Sequence, residues 1–245
     1  MNTIQFKYRI PWPLTIVSIL WIALSTFSIA KGATTAALWQ GDKKGAVSIT
    51  FDDGLSSQVN NAFPILKQRG LKATFYIISG QANTTAIREL AADGQEIASH
   101  TVTHPSLTTL SYTQQVYELS QSQLYLQQLT GQKVDTIAYP SGAYNANVMN
   151  VARNYYIAGR SADSGYLNSS SPTSDQFYRL FAVNPHSRYG AGDANATAGL
   201  RYWADRAVSD QKWLIELFHG IDTGYDMVSS QAFSTHLDYL AANEP

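Results

Sequence analysis

The 245 residues contain no cysteine. A thiolate nucleophile, a thiolate metal site and any disulfide are excluded at once. Charge is also scarce: 14% of the residues are Asp, Glu, Lys or Arg, and 17 basic side chains stand against 18 acidic ones. Such a balance leaves no basic field for a nucleic-acid backbone. The chain has no internal repeat and no long run of like charge. What it does have is 44% hydrophobic content, enough for one sizeable core, and α/β barrels of this length are often single domains. A core of that size holds without disulfides even outside the cytosol.

Residues 1–30 stand apart from the rest. Lys7 and Arg9 precede an apolar run from Pro11 to Ala30 that closes in Ser28-Ile29-Ala30. That order, basic then apolar then small-x-small, describes a secretory signal peptide cleaved after Ala30. The run is long enough for a membrane span, so an uncleaved anchor is the alternative. In either case residues 31–245 are expected outside the cytosol, secreted or at the cell surface, as one monomeric domain.

Along that domain, β-rich apolar runs alternate with amphipathic segments. Strands are expected near Ala46–Phe51, Ala73–Ile78, Glu96–Ala98, Thr136–Tyr139, Tyr156–Gly159, Arg179–Val183 and Trp213–Phe218. Helices are expected over Val59–Arg69, Thr84–Ala92, Thr113–Leu129, Ala198–Val208 and Ser229–Asn243, with Gly70, Gly94 and Gly131 as C-terminal caps. Ser161–Gln176 reads as a long polar loop. Repeated strand–helix units imply a parallel sheet, closed as a barrel or open and doubly wound.

The stretch Ser48-Ile-Thr-Phe-Asp-Asp-Gly54 runs from β-branched residues straight into two carboxylates. Asp-Gly by itself is a common turn. Its place in the chain argues for more. Asp52 and Asp53 follow the first strand, His100 and His104 the third, Arg160 and Asp163 the fifth, and His219 the seventh. In a parallel barrel the C-terminal strand ends converge on one face, where active sites are built. His100 and His104, four residues apart, are a candidate ligand pair, and one carboxylate of Asp52-Asp53 completes a three-ligand set. Such a set suits zinc, with cobalt, nickel or manganese also acceptable. If Asp53 is the ligand, Asp52 stays beside it as a proton acceptor. His219 arrives from the opposite side and could donate a proton.

These residues resemble the polysaccharide deacetylase family, the NodB-homology group of metal-dependent carbohydrate esterases. Thr50-Phe51-Asp52-Asp53-Gly54 is similar to its first motif, His100-Thr-Val-Thr-His104 to its second and Leu217-Phe218-His219 to its last, and the likeness spans roughly Ala46 to Asn243. The resemblance implies a distorted (β/α)7 barrel, a single NodB-homology domain, that removes acetyl groups from N-acetylglucosamine polymers such as chitin or a cell-wall glycan. It implies Asp52 as general base, Asp53, His100 and His104 as metal ligands, His219 as general acid and Asp163 as the group orienting His219. It also implies an oxyanion donor from the backbone of Tyr139-Pro140-Ser141-Gly142, with substrate contacts there and at Leu217.

Two departures stand out. The family's third motif begins with an arginine that holds the base aspartate, and Ala138 stands in its place here. The fourth motif resembles Arg160-Ser-Ala-Asp163-Ser164, where an acid has become Arg160 and a tryptophan Ser164. Arg160 is expected either to reach Asp52 in place of the missing arginine or to pair with Asp163 or solvent, and Tyr166 to replace the lost aromatic wall. O-acetyl ester cleavage on xylan, an amide or imide hydrolase on a small molecule, and a non-catalytic glycan-binding relative are the alternative functions.

Overall fold

The computed structural model describes Trp39 and residues 43–163, 165–185 and 193–243, with Asp163 and residues 193–195 as backbone alone. The expected signal segment lies outside the described residues. Seven strands are present: β1 Ala46–Asp52, β2 Thr74–Ile77, β3 Glu96–Ser99, β4 Thr136–Ala138, β5 Ala158–Asp163, β6 Leu180–Ala182 and β7 Trp213–Phe218. They pair in parallel in the order β6-β5-β4-β3-β2-β1-β7. The two outer strands are joined by Val183, whose N–H donates to Ile215 O and whose carbonyl accepts from Leu217 N–H, both at 2.9 Å. The sheet is thus nearly closed as a (β/α)7 barrel.

Alternation along the strands sorts the side chains into two sets. Phe51, Phe75, Ile97, Ile137 and Phe218 join the large buried cluster with residues of the surrounding helices. Phe51 stacks on Phe75 with centroids 4.9 Å apart and meets Phe233 edge-on at 5.7 Å. The alternate positions, Asp52, Tyr76, Ala98, Ala138 and Arg160, face the barrel interior together. Tyr76 pairs with Asp52 on one side and Ala98 on the other, and Ala138 pairs with Arg160. Below them Leu217 packs with Ala158, Leu180, Ala182 and Ile215.

The helices are α1 Phe63–Gln68, α2 Thr84–Ala92, α3 Tyr112–Thr130, α4 Ala146–Ala152, α5 Asp193–Ser209 and α6 Ser230–Ala242. Their starts follow from capping: Asn83, Asn145 and Ser229 each accept from the backbone three residues on, and Ser111 forms a capping box with Gln114. Gly70, Gly94 and Gly131 all adopt positive φ, as their cap positions demand. Four readings need correction. The segment expected as a helix from Val59 opens with a π-helical turn, Gln58–Ala62, before α1 begins. The short helix α4 escapes a periodicity search because it spans only seven residues. Within the expected loop Ser161–Gln176, the first three residues belong to β5, and Asn168 bridges to Trp213. Arg160 and Asp163 therefore lie in β5 and not beyond it. An arginine reads as a rim residue in sequence, but this one has buried partners waiting for it.

Candidate metal and catalytic site

At the C-terminal ends of β1, β3 and β7 the chain turns sharply. Asp53, Thr101 and His104 all have positive φ, at 75°, 66° and 62°. For a β-branched residue such as Thr101 this is a true outlier, and strain of this kind persists only where surrounding contacts enforce it. Those contacts are on hand. The Glu118 carboxylate, projecting from α3, accepts from Val102 N–H at 2.8 Å, Thr103 N–H at 2.9 Å and the Thr103 hydroxyl at 2.7 Å. The Thr101 hydroxyl accepts from His104 N–H at 3.0 Å. The loop carrying both histidines is thereby clamped.

The result is a compact donor cluster. One carboxylate oxygen of Asp53 and one ring nitrogen each of His100 and His104 lie within 4.8 Å of one another. Asp53 Oδ1 stands 3.4 Å from His100 Nε2 and 3.6 Å from His104 Nε2. His100 Nδ1 lies 2.8 Å from the Ala138 carbonyl, which can only accept, so Nδ1 carries the proton and Nε2 turns its lone pair to the cluster. Burial alone would raise the Asp53 pKa, but the neighbouring His100, His219 and His104 imidazoles, in their protonated forms, outweigh it and hold the carboxyl below its usual range. His104 is pushed down, by burial and by His100. Both shifts favour the ligand-competent forms, anionic carboxylate and neutral imidazole. A carboxylate with two imidazoles is a donor set that fits a divalent cation such as zinc and leaves positions open.

Asp52 is buried beside the cluster. Its Oδ1 accepts a hydrogen bond from Arg160 Nη2, and its Oδ2 lies 4.0 Å from His100 Nε2, facing the donors. The Arg160 guanidinium is itself buried and stands 4.4 Å from the centre of the Tyr76 ring. Arg160 and Ala138 are register partners on adjacent strands. The small side chain at 138 and the arginine at 160 thus share one interior layer, and the expected reach of Arg160 to Asp52 is what the structure shows. His219 follows β7; its Nε2 is 3.8 Å from Asp53 Oδ2.

Other expected residues sit differently. Tyr139 is buried, stacks on Tyr144 and donates through its hydroxyl to the Tyr178 carbonyl, so its ring belongs to the core. In the expected oxyanion segment, Tyr139 N–H donates to Arg160 O and Gly142 N–H to Tyr139 O. Pro140 has no N–H, which leaves Ser141, held at a positive φ of 54°. Gly142 is required there, since a Cβ would come within 2.6 Å of Ala162 N. Leu217 is buried inside the barrel. Tyr166 is exposed and leans on Phe181. The Asp163 side chain lies outside the described residues.

Besides Glu118, three residues escaped the sequence reading. Gln58 is fully buried, and its amide donates both to the Asp52 carbonyl at 2.5 Å and to the His219 carbonyl at 3.0 Å, tying β1 to β7 beneath the cluster. Tyr225 lies against the His219 imidazole with centroids 4.8 Å apart, and is half exposed. Asp226 faces His219 from the side opposite Asp53. Only the turn-rich Gly220–Gly224 stretch hinted at a built loop there.

Comparison with known proteins agrees with this geometry. Residues 40–158 match the family model described as polysaccharide deacetylase. A chitin deacetylase from Colletotrichum lindemuthianum is 34% identical over 33% of this chain and 35% of its own length. The first curated relatives are matched over 6%, 43% and 35% of their lengths, so the chain spans less than half of each. Among solved structures, the Streptococcus pyogenes deacetylase PplD in complex with acetate is 30% identical, with TM-score 0.51, over 56% of this chain and 62% of that one. The Xyl-CE4 domain of a multidomain xylanase from the hindgut metagenome of Trinervitermes trinervoides shares the fold, at 21% identity and TM-score 0.59, over 81% of this chain and 83% of its own. The Asp-Asp and His-x3-His motifs converge at the mouth of a seven-stranded parallel barrel, and residues 40–158, which carry them, match the polysaccharide deacetylase family.

Proposed function

We propose that the chain is a metal-dependent deacetylase that hydrolyses the N-acetyl groups of an N-acetylglucosamine-containing glycan, chitin-like or from a cell wall, and releases acetate. One observation carries the reading: the Asp53, His100 and His104 donors are flanked by a buried carboxylate, Asp52, and an imidazole, His219, each within 4 Å of a donor residue. A divalent cation held by those three side chains would polarise the acetyl carbonyl and acidify a water beside it.

The remaining work falls to the chain. Asp52 Oδ1 is tied to Arg160, so Oδ2 is the oxygen left to take a proton from the attacking water. The water oxygen bonds to the carbonyl carbon, and in this reading the Ser141 N–H is the backbone donor that steadies the developing oxyanion. As the carbon–nitrogen bond breaks, His219 passes a proton to the leaving nitrogen, giving a free amine on the sugar and acetate. Tyr225, beside His219, supplies an aromatic face for a sugar ring. Secretion belongs to the same proposal and rests on residues 1–30.

The test is acetate release from N-acetylglucosamine oligomers by metal-stripped protein, by zinc- or cobalt-reloaded protein and by Asp52→Asn. Release restored by metal and abolished in the variant supports the reading. Turnover confined to acetylated xylan would replace it with the ester reading, and stoichiometric metal without turnover on either substrate with a glycan-binding one.

A further inference from the structure

We propose that Asp226, from the loop after β7, is the positioning residue that orients the His219 imidazole. The idea rests on the proposed role of His219 as proton donor and adds the group that directs it. His219 Nε2 faces the cluster, so its other nitrogen must be held from behind for the ring to keep one orientation. Among the described residues that nitrogen, Nδ1, is buried with no hydrogen-bond partner. The carboxylate facing it is Asp226, whose Oδ2 stands 3.6 Å away, just beyond hydrogen-bond reach.

The loop is built to keep Asp226 there. Gly220 N–H donates to Tyr225 O at 3.2 Å, Val228 N–H to Gly220 O at 3.1 Å and Asp222 N–H to Val228 O at 3.0 Å. The Asp222 carboxylate accepts from Ser230 N–H at 2.7 Å. A Cβ on Gly220 would lie 2.3 Å from the Thr223 carbonyl, so only glycine lets the chain fold back on His219. Asp222 and Asp226 both adopt positive φ, at 63° and 45°, a strain the closed loop sustains. From the β6 side, the buried Asn184 amide donates to Asp226 Oδ2 at 3.2 Å, fixing the same oxygen that faces the imidazole. Tyr225, next in the chain, covers the ring.

An activated ester needs no proton on its leaving group, whereas an amide nitrogen does. The experiment compares full-length wild type, Asp226→Asn, Asp226→Glu and Asp163→Asn on N-acetylglucosamine oligomers and on 4-nitrophenyl acetate. In parallel, 15N spectra of histidine-labelled protein, assigned with His219→Gln, read which nitrogen of His219 carries hydrogen. Expected for Asp226→Asn is a fall in kcat on the amide of about 100-fold with KM little changed, a fall of less than about threefold on the ester, and loss of the Nδ1–H form of His219. Asp226→Glu recovers part of the amide rate. Equal losses on both substrates, an unchanged His219 spectrum, or an amide-selective loss confined to Asp163→Asn would overturn the proposal. If wild type cleaves neither substrate, the deacetylase reading fails by itself, and the tautomer of His219 in the two aspartate variants still decides which carboxylate holds the ring.

Discussion

Arg160 brings its guanidinium into the barrel against the Asp52 carboxylate, and Ala138 beside it leaves the room. Removing one partner of a buried, hydrogen-bonded ion pair strands the other charge, at a cost of about 3–5 kcal/mol. Arg160→Ala is therefore expected to lower both the melting temperature and kcat, the latter by roughly 100-fold if Asp52 is the base. The exchanged double variant, Ala138→Arg with Arg160→Ala, should recover much of the rate, because the two positions are register partners. An exchange as inactive as Arg160→Ala would show that the position, and not the charge, is what matters. At the rim, Tyr225→Ala should raise KM for chitooligomers by about 2–12-fold with kcat nearly kept, since stacking on a ring contributes about 0.5–1.5 kcal/mol. Tyr166→Ala should leave both constants alone, and steady-state kinetics on the pair separates the two tyrosines. Because the His104 pKa lies below the ordinary histidine value and the Asp53 pKa below that of a free carboxyl, protons compete less with a metal for these two ligands. Zinc affinity by calorimetry at pH 6 should stay within about tenfold of that at pH 7.5, where an ordinary histidine pair would lose more.

The elements place these side chains through contacts that reach between them. The π-helical turn Gln58–Ala62 seats Gln58 under both Asp52 and His219, and Asn61 donates to the Ile221 carbonyl at 2.8 Å. One short element thereby sets the distance between the ends of β1 and β7. Gln58→Leu keeps the volume and removes the bridge, leaving buried carbonyls unpaired at about 1–3 kcal/mol. It should cost more in kcat than its change in melting temperature explains, and activity measured well below the melting range checks this. Helix α3 does the same for the histidine loop through Glu118. Glu118→Ala should release the strained Thr101 backbone and weaken zinc binding by roughly 10–100-fold, read by competition with a chelator. On the far side of β7, Glu216 and His236 form a fully buried pair at 2.7 Å that fastens α6 to the barrel wall.

Across the whole molecule, the interior tyrosines tie stability to alkaline pH. Burial pushes the Tyr76 hydroxyl up to about 12, and Tyr139 and Tyr156 are raised further. In the unfolded chain these groups lose their protons near pH 10. Their contribution is whole below pH 10 and is lost as the pH rises through the folded-state values, because the unfolded chain then binds fewer protons than the native one. Tyr76 alone accounts for about 3 kcal/mol between pH 10 and 12, at 1.36 kcal/mol per unit. Urea midpoints should hold steady to pH 10 and fall above it, and Tyr76→Phe should flatten part of that fall. An unchanged slope in Tyr76→Phe would remove this tyrosine from the account.

Much was legible in the residues themselves. Alternating apolar runs marked the seven strands, glycines at cap positions marked helix ends, and Asp52-Asp53, His100, His104 and His219 announced a site because they recur at strand ends. Those signals are local, and local chemistry fixes them. What the sequence could not locate were partners that depend on who sits opposite. The reach of Arg160 to Asp52 was suggested by the missing third-motif arginine, but only the β4–β5 register set it inside the barrel beside Ala138. Tyr166 and Tyr225 are alike as letters, and only the return of the 220–228 loop onto His219 separates them. Gln58, Glu118 and Asp226 carry no motif at all, because a side chain that holds another residue's backbone or ring is chosen by distance across the fold. Closure of the barrel decided those distances.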